Sequence, residues 1–453
     1  MAVDVADSAV FDVLDVFGGA TILVKPNATL DGSVPLRATR ACSPLLDGNR
    51  FGFQVELTQK LTFSKTLTGV KLVAIPDVLQ RAISGSMPRI LAEGLFPRAS
   101  TWATSLAQSI VTKEKGNRRG ISLFTGLFVR PHKGYWLRLG HAGNRRNLAF
   151  DVIPRWIADT KNFTPLVLSL SFAPDVPFPV DLSGEIATLA PFVPDSKWEK
   201  LEMLDIEKVG HAHTKFFDAK YFSQKKRTST KKYRQMVDKE PQATLVRRKY
   251  GGIASLGPAI VDVETAKFFL TPQGIEPPIP RDDVGTAIEE AIFYNSVPLV
   301  CSFDGHHTHV QPDPRALERF SHETRQAWTN VFGADYLDQN KGALWYFTKY
   351  VTPHQPGEPF FFVKPPALMT TPPGYSTLVE GSSRAGYSIL RGVVATDVFH
   401  ALPAVFRIDR PLQKIEIAAG TPLATFLPFP RSLLDATFRT VEWAHAPRLR
   451  ALP

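Results

Sequence analysis

The chain has only two cysteines in 453 residues, Cys42 and Cys301, which excludes a disulfide framework. Both suit a reducing compartment. No uninterrupted apolar run approaches the ~18 residues that a membrane span needs. Met1 to Gly19 is acidic and lacks a long apolar core, so it does not read as a secretory signal. These absences predict a cytoplasmic protein that does not enter the membrane. Tyrosine is scarce beside phenylalanine, 10 against 31, so the core is to be filled by rings that need no polar partner. Nucleophile elbow, phosphate-binding P-loop, dinucleotide fingerprint and metalloprotease helix are all missing. Ser, His and acidic residues are present, but no spacing points to a triad.

What is present is ordinary in bulk and uneven in detail. The chain is 44% hydrophobic and 21% charged, a globular composition, and its length predicts roughly two to three domains. Its 37 prolines interrupt helices and favour short strands with turns. Net charge is +10. From Lys220 to Lys249, eleven Lys or Arg stand against Asp238 and Glu240, so one segment carries nearly the whole excess.

Short words recur in order. Ser33-Val34-Pro35-Leu36 returns as Ser296-Val297-Pro298-Leu299, and Cys42-Ser43 as Cys301-Ser302. Asp47-Gly48-Asn49 is echoed by Asp304-Gly305-His306. Gly134-Tyr135 opens a strand-like run ending at Gly140, and Gly374-Tyr375 one ending at Gly381. Ile186-Ala187-Thr188 with Pro191-Phe192 matches Leu423-Ala424-Thr425 with Pro428-Phe429 at identical internal spacing. Four ordered matches predict one unit used twice, with insertions; chance recurrence of common turn and strand words is the plainer alternative. Strands are predicted over Leu166–Phe172, Ala401–Ile408, Leu412–Ala418 and Thr421–Leu427. Helices are predicted over Val78–Glu93, Thr286–Tyr294 and Arg315–Val331, the last with Asp313 and Pro314 as start signals. The fold class is therefore mainly β: two tandem β-barrel or β-sandwich domains with a few helices. The divisions are 1–203 for the first unit, 204–252 for a basic linker or arm, and 253–453 for the second.

The second unit reads Pro373-Gly374-Tyr375-Ser376, then Glu380-Gly381-Ser382-Ser383-Arg384-Ala385-Gly386, then Gly392-Val393-Val394-Ala395-Thr396-Asp397, and closes on Ile415 to Ala424. This order resembles the core of the deoxyuridine triphosphatase and deoxycytidine deaminase superfamily. The layout also resembles an uncharacterised bacterial family of unknown function, through Phe124-Thr125-Gly126-Leu127-Phe128, the proline-glycine-aromatic turn and the glycine-valine-valine segment. It covers roughly Leu36 to Phe192 and Phe360 to Trp443. The resemblance implies a β scaffold, nucleotide-phosphate contacts from Ser382, Ser383 and Arg384, and assembly as homo-oligomers. A fused pair would satisfy part of such an interface within one chain. The catalytic carboxylate expected directly after the Gly-Val-Ile strand is Ala395 here. Asp397, two residues on, would share its face along a strand and is the candidate base. In the first unit, Gly140 to Arg146 stands where the Ser/Arg motif would be, and Asp151-Val152-Ile153-Pro154 where the acidic strand would be.

Three groups carry candidate chemistry. Asp304, His307 and His309, with His322 from the next helix, have donors suited to a divalent metal, Zn²⁺ or Fe²⁺; a polar loop after an Asp-Gly turn explains the same residues. His211-Ala212-His213 is a second such pair. Ser382, Ser383 and Arg384 suit phosphate oxygens, and equally a β-turn bonded to its own backbone. Lys225, Lys226, Arg227, Lys231, Lys232 and Arg234 lie among Tyr221, Phe222 and Tyr233, a pattern for nucleic acid, for a partner subunit, or for a solvated linker. Two functions stay open. One is a non-catalytic binding or assembly protein on a duplicated scaffold. The other is an enzyme, either a nucleotide hydrolase using Asp397 or a metal-dependent catalyst using the His306–His309 cluster.

Overall fold

The computed structural model describes residues 9–26, 43–67, 69–92, 111–113, 119–142, 144, 149–173, 176–194, 198–200, 251–255, 291–295, 297–319, 322, 347, 351–353, 356–363, 367–381, 383–384, 386–397 and 402–443. They form a mainly β protein, and no described helix is long and apolar enough to cross a membrane.

The first half supplies β1 (Ala9–Asp15), β2 (Thr21–Val24), α1 (Ser43–Arg50), β3 (Phe53–Thr66), β4 (Gly69–Ala74) and α2 (Asp77–Ala92). It continues with β5 (Val111–Lys113), β6 (Gly120–Pro131), β7 (Trp136–His141), β8 (Phe150–Val152), β9 (Arg155–Ile157), β10 (Thr164–Phe172), β11 (Val180–Phe192) and β12 (Trp198–Lys200). The second half supplies β13 (Gly251–Ser255), β14 (Ala291–Tyr294), β15 (Leu299–Phe303), β16 (Thr308–Pro312), β17 (Val351–Pro353), β18 (Phe360–Val363), β19 (Ala367–Thr370) and β20 (Tyr375–Gly381). After these come β21 (Ser383–Arg384), β22 (Tyr387–Leu390), β23 (Gly392–Val394), β24 (Ala404–Ile408), β25 (Ile415–Ile417), β26 (Pro422–Pro430), a 3₁₀ turn at Arg431–Asp435, and β27 (Thr437–Thr440).

The strands pair into separate sheets, and none of these closes into a barrel, against the barrel form expected from the sequence. Between β14 and β15 the chain turns at Asn295, whose amide donates to the carbonyls of Ile417 and Ala418 at the matching break between β25 and β26.

Local sequence explains most elements. Strand β3 alternates buried Phe53, Val55 and Leu57 with partly exposed Gln54 and Glu56, the period of a half-buried strand. Helix α2 buries Leu79, Ile83 and Ile90 at helical spacing and coincides with the predicted 78–93 segment. Residues 314–319 are helical, and the Asp313 carboxylate accepts the N–H groups of Arg315 and Ala316, the predicted cap. The predicted helix at 286–294 is corrected: Ala291–Tyr294 is strand, because Ile292, Phe293 and Tyr294 pair along β26.

Several strand pairings recur in the two halves at a near-constant spacing. Val111↔Leu123, Thr112↔Ser122 and Lys113↔Ile121 return about 240 residues later as Val351↔Val363, Thr352↔Phe362 and Pro353↔Phe361. Phe192↔Trp136 and Pro191↔Leu137 return as Phe429↔Ser376 and Pro428↔Thr377. Leu61↔Leu182 and Phe63↔Val180 return as Leu299↔Ile417 and Cys301↔Ile415. This register corrects three sequence alignments. Cys301 takes the place of Phe63, not Cys42. Gly140, opposite Thr188, matches Glu380, opposite Thr425, so the two Gly-Tyr runs are out of step by one at their ends. Arg155-Trp156-Ile157, not Asp151-Val152-Ile153, matches Gly392-Val393-Val394.

The ends of the halves cross over. β12, last in the first half, runs parallel to β13, first in the second, with Lys200 opposite Ile253. β27, last in the second half, runs parallel to β1, first in the first, with Thr440 opposite Val13. The larger apolar core draws on both halves: it includes Leu378, Val393, Leu427, Phe429, Leu433 and Ala436 beside the first-half strands.

One buried carboxylate ties β27 down. Asp12 on β1 is fully buried and accepts from Arg439 Nε at 2.8 Å, from Arg130 Nε at 3.2 Å and from His132 Nε2 at 3.1 Å. Burial pushes its carboxyl up, but hydrogen bonds from Arg439, Arg130 and His132 outweigh this and leave it below the usual range. Its contribution to stability is therefore present above the ordinary carboxylate range and lost as pH falls through the lowered value. Asp12→Asn is expected to cost about 1–3 kcal/mol, since the partly exposed cations regain water. Urea unfolding measures this, and faster amide exchange at Phe438 and Thr440 than elsewhere would locate it; unchanged exchange there would rule out this anchoring role.

Candidate functional site

Asp397 does not lie on a strand. β23 ends at Val394, so the two-residue step that would have put Asp397 on the face of Ala395 passes into a turn. Its side chain is buried, and both oxygens are engaged: Oδ2 accepts the Gly374 N–H at 2.9 Å, and Oδ1 the Arg431 guanidinium. Arg431 also donates to the Tyr375 carbonyl at 2.9 Å and to Ser376 Oγ at 3.0 Å. Beside it, the hydroxyls of Thr371 and Thr377 bond to Thr396 at 2.7 and 2.8 Å. Gly374 has φ of 80°, a conformation that favours glycine, and Asp397 holds that turn in place.

The Asp304 turn is also closed on itself. Oδ1 accepts the N–H groups of His306 and His307 at 2.7 and 2.6 Å, and Oδ2 lies 2.9 Å from His309 Nε2. The His309 contact, then the two backbone bonds, hold this carboxyl well below its usual range. The rings of His307 and His309 are 6.3 Å apart, and His322 is exposed. Among the described residues no group of three or more His, Cys, Asp or Glu side chains could hold a metal ion. In the first half the position matching His309 is Lys71: Ser64↔Lys71 answers Ser302↔His309. Both are charged or polar residues on edge strands, where such side chains discourage further strand pairing.

Ser383 and Arg384 form the short strand β21 against Ser388 and Tyr387. Ser382 lies outside the described residues, as do His211, His213, Cys42 and the basic group Lys225, Lys226, Arg227, Lys231, Lys232 and Arg234. Cys301 is core, and burial pushes its thiol up to about 12, far from a reactive thiolate.

A cluster of buried charge that the sequence did not nominate lies among the described residues. Where the halves meet, Arg138 on β7 and Glu380 on β20 form a buried ion pair. A Cβ at Gly140 would lie 2.7 Å from Glu380 Oε1, so glycine there leaves room for the carboxylate. Arg407 is fully buried and donates to Asp409 Oδ1 at 2.7 Å and to the Asn144 carbonyl at 3.1 Å. Asn144 bonds the backbone of Arg391 on both sides, accepting its N–H at 2.5 Å and donating to its carbonyl at 3.0 Å. His141 sits beside these arginines. Burial first, then the charges of Arg138 and Arg391, push its imidazole down to about 4. No single-sequence signal links Arg138 to Glu380, because their adjacency exists only after the halves pack.

Fold and site thus define a mainly β protein of several sheets, with a charged joint where strands of the two halves meet. No family model and no curated protein matches the chain. Among solved structures, it is similar to a 2'-deoxycytidine 5'-triphosphate deaminase from Agrobacterium tumefaciens, at 9% identity over 91% of this chain and 93% of that one. The TM-score is 0.23, and nothing about activity follows from it.

A neutral, half-buried His141 has a pH signature. Its folded pKa of about 4 lies below the unfolded value of about 6.5, so the folded state resists the proton. Stability is full above that unfolded value and declines as pH falls from 6.5 towards 4, by up to about 1.4 kcal/mol per unit. His141→Gln should flatten this decline. Urea melts at pH 7.5 and 4.5 on both proteins measure it, and identical slopes would show that His141 already titrates normally.

Proposed function

We propose that this chain is a non-catalytic binding or assembly protein built from one β unit used twice, with the two copies held as a self-complementary pair inside a single chain. The observation that carries this reading is the reciprocal pairing of β12 with β13 and of β27 with β1. Each half gives its last strand to the first strand of the other, the geometry of an exchanged dimer. Matching positions also meet across the joint, as they do around a two-fold axis. The rings of Phe192 and Phe429 are 5.9 Å apart, and Gly140 packs on Glu380. Such a pair needs no second chain to bury its exchanged edges.

The engagement of Asp397 supports the non-catalytic side. A general base needs a free lone pair directed at its proton, and this carboxylate spends both oxygens on Gly374 and Arg431. The Asp304 carboxylate is likewise spent on its own turn.

A protease site placed within 204–252 tests the pairing. After cleavage the two fragments should co-elute in native buffer and part only in denaturant; fragments that separate in native buffer would overturn the exchanged pair. For the absence of catalysis, deoxyuridine and deoxycytidine triphosphates are incubated with wild type and with Asp397→Asn. The expected result is no turnover by either, together with a lower Tm for the variant by several degrees. Turnover that Asp397→Asn abolishes would establish the hydrolase. Replacing His307 and His309 together by Ala should leave the metal content of the purified protein unchanged, and a lost equivalent of metal would establish the metal-dependent alternative.

A further inference from the structure

We propose that Arg391, in the joint between the halves, is the recognition residue of an oxyanion site that takes a phosphate group. Arg391 is 4% exposed, yet its guanidinium makes no hydrogen bond to the chain, and its Nε is buried without a partner. The nearest carboxylate oxygen, Glu380 Oε1, is 3.9 Å away, and Glu380 is already paired with Arg138. On the other side the guanidinium lies over the Phe51 ring, 5.8 Å from its centre. The other two buried guanidiniums are bonded, that of Arg138 to Glu380 and that of Arg407 to Asp409 and the Asn144 carbonyl.

An unsatisfied buried guanidinium costs several kcal/mol, far more than a surface charge, and a chain tolerates it where something else completes it. A guanidinium presents a planar fork of donors that matches two oxygens of one phosphate. Its backbone is fixed on both sides by Asn144, so the fork is held in place before a ligand arrives. Burial and then the Arg138 charge push the Arg391 guanidinium down to about 9, with Glu185 offsetting part of this. Glu185 Oε2 in turn accepts the Gln54 amide at 2.9 Å.

The fold does not require these charges. By strand register the first-half positions matching Arg391 and Glu380 are Pro154 and Gly140, and the second-half position matching Arg138 is Leu378, two of them apolar and one a glycine. A joint between like halves could have been closed with such residues on both sides. At each of these matched positions only one of the two residues is charged, which marks a selected contact.

The test uses the full chain and inorganic phosphate, with calorimetric titration at low salt and a thermal scan. Wild type should bind one phosphate per chain, and its Tm should rise with phosphate concentration. Arg391→Met should lose affinity at least tenfold and, without phosphate, keep or raise its Tm, because an unpaired buried charge has gone. Arg391→Lys, which keeps the charge but not the fork, should also bind at least tenfold more weakly. As a separate readout, phosphate should raise the His141 pKa from about 4 in wild type, measured by NMR. Equal phosphate binding by wild type and Arg391→Met, or none by wild type, would overturn the site. So would a strongly lowered Tm of Arg391→Met without phosphate, which would make Glu380 the true partner. These outcomes are independent of fragment association and nucleotide turnover, so the site and the assembly reading fail separately.

Discussion

The joint between the halves rests on a single steric condition: position 140 must have no side chain. Glu380 enters the first half there, within 2.7 Å of where a Cβ would stand, and is neutralised by Arg138. A carboxylate buried this deeply is tolerated only with its cation in contact, and removing either partner typically costs about 3–5 kcal/mol. Around this contact lie the stacked rings of Phe51 and Phe429, 3.9 Å apart, and Phe192 edge-on to both. The ion pair fixes register where apolar packing alone would let the sheets slide. The placement of Arg391 and Arg407 follows from it, since both reach the joint through Asn144 on the loop after β7.

Reciprocal strand exchange adds a constraint of a different kind. β27 returns across nearly the whole chain to lie beside β1, so its contribution comes only after both halves exist. Contacts of such separation are slow to form and cooperative once formed. Asp12 compensates locally, with Arg439 of β27 meeting Arg130 and His132 of the first half on one buried carboxylate. Lys25 acts similarly at the other edge. Its ammonium donates to the carbonyls of Leu434 and Ala436 and lies over Phe53.

The sequence disclosed the repeat where the physics is local. Gly134 and Gly374 both need positive φ, and the Ile-Ala-Thr and Leu-Ala-Thr words lie in strands with the same partners, so like residues recur at like places. It misled where strands drift. Phe63 and Cys301 fill equivalent buried slots with unlike side chains, so the eye finds Cys42 instead. Helix α2 and the Asp313 cap were legible because helix signals are short-range. β14 was not, because pairing with β26 decides it and nothing within 286–294 does. The candidate residues show the same division. Asp304 with its histidines was found as a motif and proves to be a turn, whereas Arg138, Glu380 and Arg391 have no motif and meet only in space.

The matching registers of the two halves offer an internal control that an ordinary fold lacks. Where both halves keep the same residue class, the fold is its sufficient cause, as with Phe192 and Phe429 at the joint or Val129 and Met369 at equivalent pairs. Where one half departs towards a costlier residue, the fold cannot be the cause. Glu380 against Gly140 and Arg391 against Pro154 are departures of that kind. The first is explained by Arg138, which the other half supplies. The second is explained less fully: Asn144 satisfies the Arg391 backbone, Glu380 stands 3.9 Å from its Nε, and that Nε makes no hydrogen bond. A charge that neither symmetry nor packing demands, held rigidly in low dielectric, is balanced most economically by an anion from outside.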